Sequence, residues 1–147
     1  MKRFQFSLEA LLSLRKEREQ ECEIALASAV GQLLSIDKRI EEAESAGERA
    51  FEASDVSLEA LRARERIWLK SRKDRIALEK PRDEAALRVE SARKIYTEAH
   101  SKKAALEKLR ENRMDQWKFQ VKQDEIKRLD ETAKGAASRR RLTGGEL

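Results

Sequence analysis

From Leu12 to Ala50, residues fall on one line of a helix at alternating three- and four-residue intervals: Leu12, Arg15, Glu19, Cys22, Leu26, Ala29, Leu33, Ile36, Ile40, Ala43, Gly47 and Ala50. Nine of the twelve are apolar or Ala, so the spacing is that of a heptad seam, and a stripe this narrow is buried by pairing with another helix. Composition leaves few alternatives. Charged residues make up 41% of the 147-residue chain and aromatics 5%, with five Gly and one Pro. That is too polar for a thick core and too poor in turn residues for a sheet. Ala, Glu, Lys, Leu and Arg lose little rotamer freedom in a helix, and apolar residues at regular intervals argue against disorder.

Ser7 is placed to cap the first helix, with Glu9 in its first turn and Phe6 and Leu11 spaced as a hydrophobic staple. Between about Gly47 and Ser57 the seam weakens and Ser45, Ser54, Asp55 and Ser57 gather, which favours a turn near Ser54. A second seam follows through Leu61, Trp68, Leu78, Ala85, Val89, Ala92, Tyr96, Ala99 and Leu106, interrupted by Ser71, Arg75, Arg82 and Lys103. Pro81 removes a helix donor, so a kink is expected there without a domain boundary. The fold class is therefore all-α, a single two-helix antiparallel coiled-coil hairpin over residues 1–134. Its expected parts are a helix over about 8–50, a turn over about 51–57, a longer helix over about 58–133 and a disordered tail from 135 to 147. At about 1.5 Å per residue the helices are roughly 65 and 110 Å long. A turn centred on Ser54 sets residue i of the first helix opposite about residue 108 − i, which puts Phe4 near Ala104 and leaves the second helix overhanging from Ala105.

Catalytic chemistry has little footing in such a chain. Phosphate loops, Cys-x-x-Cys, His-Glu-x-x-His and Gly-x-Ser-x-Gly are missing from the sequence. His100 is the lone histidine and Cys22 the lone cysteine, which suits a small seam residue. No enzyme activity, cofactor or metal is expected. The N-terminus reads poorly as a signal peptide, and no stretch approaches a membrane span, so a cytoplasmic protein without membrane insertion is expected. Charge is unevenly placed, net −5 over residues 1–60, +6 over 61–82 and +4 over 83–147. Within the basic stretch, Ile67, Trp68 and Leu69 sit among Arg62, Arg66 and Arg72. A run that includes an apolar trio and lacks a parallel zipper downstream argues against nucleic acid and for a protein partner.

Several motifs together resemble the flagellar export protein FliJ family. Phe4-x-Phe6-x-Leu8-x-x-Leu11-Leu12-x-x-Arg15 is similar to that family's opening pattern. Leu106-x-x-Leu109-Arg110-x-x-Arg113, then Trp117 and Leu129-Asp130-Glu131-x-Ala133, resembles its closing segment. The resemblance implies a coiled-coil stalk and chaperone of the flagellar type III export apparatus, peripherally associated with it at the inner membrane. The implied partners are the export ATPase hexamer, the cytoplasmic domain of the export gate and substrate chaperones. Gate contacts would fall on Ile67, Trp68, Leu69, Arg62, Arg66 and Arg72, and ATPase-ring contacts on Leu106, Leu109, Arg110, Arg113 and Trp117. Two other readings share the architecture: the stalk of a virulence-type secretion system, and a structural scaffold.

Overall fold

Ser57 opens the longer helix as a capping residue should: its Oγ accepts the Ala60 N–H at 3.2 Å, while its own N–H is donated to Asp55 Oδ1 at 3.0 Å. The chain is described here by a computed structural model, over residues 2–52 and 54–144. Two helices account for nearly all of it, α1 (Glu9–Arg49, 41 residues) and α2 (Leu58–Gly144, 87 residues), with no strand among the described residues. They make an antiparallel coiled-coil hairpin whose second helix is the longer. Ser7 does not cap α1; its Oγ instead accepts from Arg113 Nη1 at 3.0 Å. The helix begins two residues later, at Glu9.

The chain divides into two compact units, one drawn from Met1–Leu14 and Lys103–Leu147, the other from Arg15–Lys102. The division falls away from Pro81, through which α2 continues. Proline lacks the N–H that would bond to the Ala77 carbonyl, but Ala77 is exposed, so water can take that acceptor.

Every one of the twelve positions of the first seam, eleven in α1 and Ala50 just after it, is buried or half-buried. On α2 the seam holds at Ser71, Leu78, Ala85, Val89, Ala92, Tyr96, Ala99, Lys103 and Leu106, while Leu61, Trp68, Arg75 and Arg82 are exposed. The core is correspondingly thin: Phe6, Leu12, Cys22, Ala85, Val89 and Ala99 are its buried apolar side chains.

The register differs from a turn centred on Ser54. In the larger unit, Glu44 pairs with Arg75 at 3.1 Å, Asp37 with Arg82 at 2.6 Å and Glu19 with His100 at 3.1 Å, so residue i faces about residue 119 − i. Arg49 at the end of α1 thus lies level with about residue 70, and the first three turns of α2 run past it. The connection from 50 to 57 runs back along those turns, where Arg64 donates to the Asp55 carbonyl. Eight residues suffice, because an extended chain spans up to about 27 Å and twelve helical residues rise only about 18 Å. Residue 53 of this connection lies outside the described residues.

At the other end, α2 is described as far as Gly144. Ala136, Ala137 and the three arginines 139–141 are strong helix formers, which offsets the roughly 1 kcal/mol cost of Gly135. Residues 145–147 lie outside the described residues.

Gly47 marks a close approach of the two helices. A Cβ there would stand 2.6 Å from Ser71 Oγ and 3.2 Å from Ser71 Cβ, and that hydroxyl is already donated to the Ala43 carbonyl. At Gly31, by contrast, a Cβ would have nothing within 4 Å. Gly47→Leu is therefore expected to destabilise the hairpin by about 1–3 kcal/mol through overpacking, and Gly31→Ala to stabilise it by about 0.5–1 kcal/mol through helix propensity. Urea denaturation followed by circular dichroism checks both; equal effects at the two glycines would contradict the packing.

Candidate interaction surfaces

In the larger unit, small residues at the helix approach leave room for a notch. Gly47 and Ser71 line it together with Phe51 and Trp68, with Glu44 and Glu48 on the α1 side and Arg72 and Arg75 on the α2 side. Phe51 is 60% exposed and Trp68 39%. The Arg72 guanidinium stands 5.4 Å from the Trp68 ring centroid, a distance at which the ring face attracts the cation. Two aromatic walls with charge of both signs at the rim suit an apolar side chain flanked by polar ones.

The other sequence-predicted residues of this region are spread around the helix. Ile67 and Leu69 are 47% and 52% exposed, one residue to either side of Trp68, so they point away from the notch. Arg66 turns back on its own helix, donating from Nε to the Arg62 carbonyl at 3.4 Å. Trp68 and Arg72 are thus brought together, whereas Arg62, Arg66, Ile67 and Leu69 stand outside the notch. Gly47, a seam position, and Phe51 belong to it too, and Phe51 is not singled out by the sequence, because a turn at Ser54 places it beyond the helix pairing.

The smaller unit holds the predicted ring-contact residues, and the register changes their setting. Phe4 lies against Trp117, with ring centroids 6.0 Å apart and planes tilted at 54°, and not near Ala104. Arg110 stands 5.6 Å from the Phe4 ring and pairs with Glu9 at 2.9 Å; Arg113 stands 5.7 Å from the Phe6 ring and reaches Ser7. Leu106, Leu109, Arg110 and Trp117 are half-buried and Arg113 is exposed. The segment before α1 therefore straps these residues down, and α2 loses its cover only after Val121, not at Ala105. An alternating Phe-x-Phe facing an Arg-x-x-Arg is the signal that could have shown this pairing.

No group of three His, Cys, Asp or Glu among the described residues is placed to hold a metal ion. No helix among the described residues is long and apolar enough to cross a membrane. His100, paired with Glu19, stacks on Tyr96 with ring centroids 6.0 Å apart.

A thin-cored hairpin of this kind, with apolar and charged surface features in each of its units, belongs to the class of two-helix coiled-coil proteins. The family model described as "Flagellar FliJ protein" matches residues 4–142, and the chain belongs to the FliJ family, a component of flagellar protein export. No curated protein and no solved structure matches the chain significantly.

The strap yields a direct test. Phe6 is 7% exposed, so Phe6→Ala is expected to cost about 3 kcal/mol, and the more exposed Phe4→Ala about 1 kcal/mol through its lost ring contacts. Hydrogen exchange of amides 8–12 should accelerate in both variants, and unchanged protection would show that the strap does not hold the start of α1.

Proposed function

We propose that the chain serves flagellar type III export as a cytoplasmic stalk and chaperone, peripherally associated with the export apparatus. In this reading the Trp68 notch binds the cytoplasmic domain of the export gate, and the end of α2 binds the export ATPase ring and promotes its assembly. Substrate chaperones are further partners. The observation that carries it is the exposed Trp68, set between Phe51 and Arg72 on a surface otherwise dominated by charge. Aromatic and Arg anchors of this kind supply most of the affinity of protein interfaces, while surrounding charges set the rate of encounter. The protein supplies no catalytic group. It acts by binding the closed ring more tightly than its separate subunits, which shifts the assembly equilibrium by that difference.

Family membership favours the flagellar system over a virulence-type one, and the uncovered end of α2 favours an adaptor over a scaffold whose seam would be paired throughout. Trp68→Ala is expected to weaken binding to the gate domain roughly 30-fold, equivalent to about 2 kcal/mol. Arg62→Ala/Arg66→Ala should lower mainly the association rate and its salt dependence. An unchanged dissociation constant in Trp68→Ala would move the gate contact elsewhere.

The ring contact needs a truncation that spares the strap, because Arg110 and Arg113 also hold Phe4 and Phe6. A chain ending at Val121 is expected to lose most of its stimulation of ATP hydrolysis by the cognate ATPase, with the strap amides still protected. Full stimulation by that truncation would place activation on the paired hairpin instead.

A further inference from the structure

Ile24 to Ile36 is the longest run without charge in a chain of which 41% is charged. The coiled-coil seam accounts for Leu26, Ala29, Leu33 and Ile36, which are half-buried at the helix pairing. It does not account for Ile24, Ala27, Ser28, Gly31, Leu34 and Ser35. These fall on the outer face of α1, away from the seam, and all six are exposed, Ile24 by 71% and Leu34 by 61%. Elsewhere that face is polar, as a solvated coiled-coil face is, with Glu17, Gln20 and Glu21 before the run and Lys38, Glu41 and Glu42 after it. At Gly31 an added Cβ would meet no atom within 4 Å, so nothing in the hairpin requires a glycine there. None of these residues belongs to the Trp68 notch or to α2.

Charge says what covers this face. Glu17, Ile24, Gly31 and Lys38 stand seven apart, and residues at that interval keep to one line within about 20° per repeat. The Glu17 and Lys38 side chains are exposed and pair with nothing among the described residues. If a second copy lies antiparallel along the line, with residue i facing residue 55 − i, Glu17 of each copy meets Lys38 of the other and Ile24 of each falls on Gly31 of the other. Ala27 and Ser28 then flank the two-fold axis, where small side chains let two helices approach to about 8 Å. In antiparallel packing like rows face each other, which sets Gln20 opposite Leu34 on one side and Glu21 opposite Ser35 on the other. No like charges meet in these rows. A parallel pair would set Glu17 on Glu17, Glu21 on Glu21 and Lys38 on Lys38. An anionic lipid surface would be repelled by Glu17, Glu21, Glu41 and Glu42 at the borders. We propose that the outer face of α1 over residues 17–38 is a self-association surface, which takes a second copy of the chain in this antiparallel register. The line rises about 32 Å, so the interface is small and the dimer weak and concentration-dependent, with a Kd of about 10–100 µM. The assignment does not depend on the gate and ring contacts.

Sedimentation equilibrium of the full chain over roughly 10–500 µM tests it, and a monomer–dimer equilibrium is expected within that range. Glu17→Lys and Lys38→Glu, each alone, bring like charges together at both pairs and should weaken the dimer by about tenfold or more. Mixing these two variants in equal amounts sets opposite charges at both pairs and should restore the parent affinity. Restoration requires Glu17 of one copy to meet Lys38 of the other. Ile24→Gln should weaken the dimer by about tenfold with helix content unchanged by circular dichroism. Gly31→Ala separates the interface from the fold: it is expected to raise stability in urea while weakening the dimer about fivefold, whereas a purely structural glycine would not weaken it. A chain that stays monomeric throughout the range overturns the proposal. So does a dimer that Ile24→Gln leaves intact, or a pair of charge variants whose mixing restores nothing.

Discussion

The fold depends on acid in α1 meeting base in α2. Glu44 with Arg75, Asp37 with Arg82 and Glu19 with His100 in one unit, and Glu9 with Arg110 in the other, all run in that direction. Each is partly exposed, so none contributes more than a fraction of a kcal/mol to about 1 kcal/mol by itself. Their effect is selective. Sliding α2 to face residue 108 − i would set Glu9 against Ala99, Glu19 against Val89 and Asp37 against Ser71, leaving three carboxylates without their partners and two of them against buried aliphatic positions. The charge imbalance along the sequence, acidic at first and basic later, is thus used within the chain before any partner is involved.

That same slide explains why so much was legible and the rest was not. The difference between 119 − i and 108 − i is eleven residues, which is three helical turns to within about 20°. A shift of whole turns keeps the same face inward. Heptad spacing therefore located the seam on both helices, down to Cys22, Gly47 and Ala99, while saying nothing of depth. Depth was fixed by Gly47 against Ser71 and by the charge pairs, which involve residues dozens of positions apart and leave no local periodicity. With depth went the notch, since Phe51 faces Trp68 only when the connection runs back along α2, and with it the strap, since Phe4 reaches Trp117 only in the longer register.

Arg110 and Arg113 illustrate how a residue can stand out in a sequence while its setting goes unseen. Two arginines three apart on a helix with a nearby Trp suggest a surface waiting for a partner. They are instead covered on one side by Phe4 and Phe6, whose ring centroids lie 5.6 and 5.7 Å from the guanidinium carbons. Cation–π contacts at partly exposed sites are worth about 0.5–1 kcal/mol each, and the buried Phe6 adds the larger apolar term. A partner that uses these arginines must therefore either accept them with the aromatic rings in place or displace the strap at that energetic cost. The predicted contacts and the observed strap compete for the same side chains.

Residues 122–144 show how a helix persists without cover. Starting a helix is the unfavourable step, and here the turns held under the strap have already taken it, so each further residue adds a hydrogen bond to an existing helix. Asp124 and Arg128, and Asp130 and Lys134, stand four apart with the acid first, the favourable order against the helix dipole. Arg141 in the last turn opposes the negative end of that dipole. These local effects are small, but a solvated helix needs only to match water residue by residue. What they do not do is bury Phe119, Ile126 and Leu129. A stretch whose local chemistry maintains the helix while its apolar line stays open has no ordering cost left to meet when that line is covered.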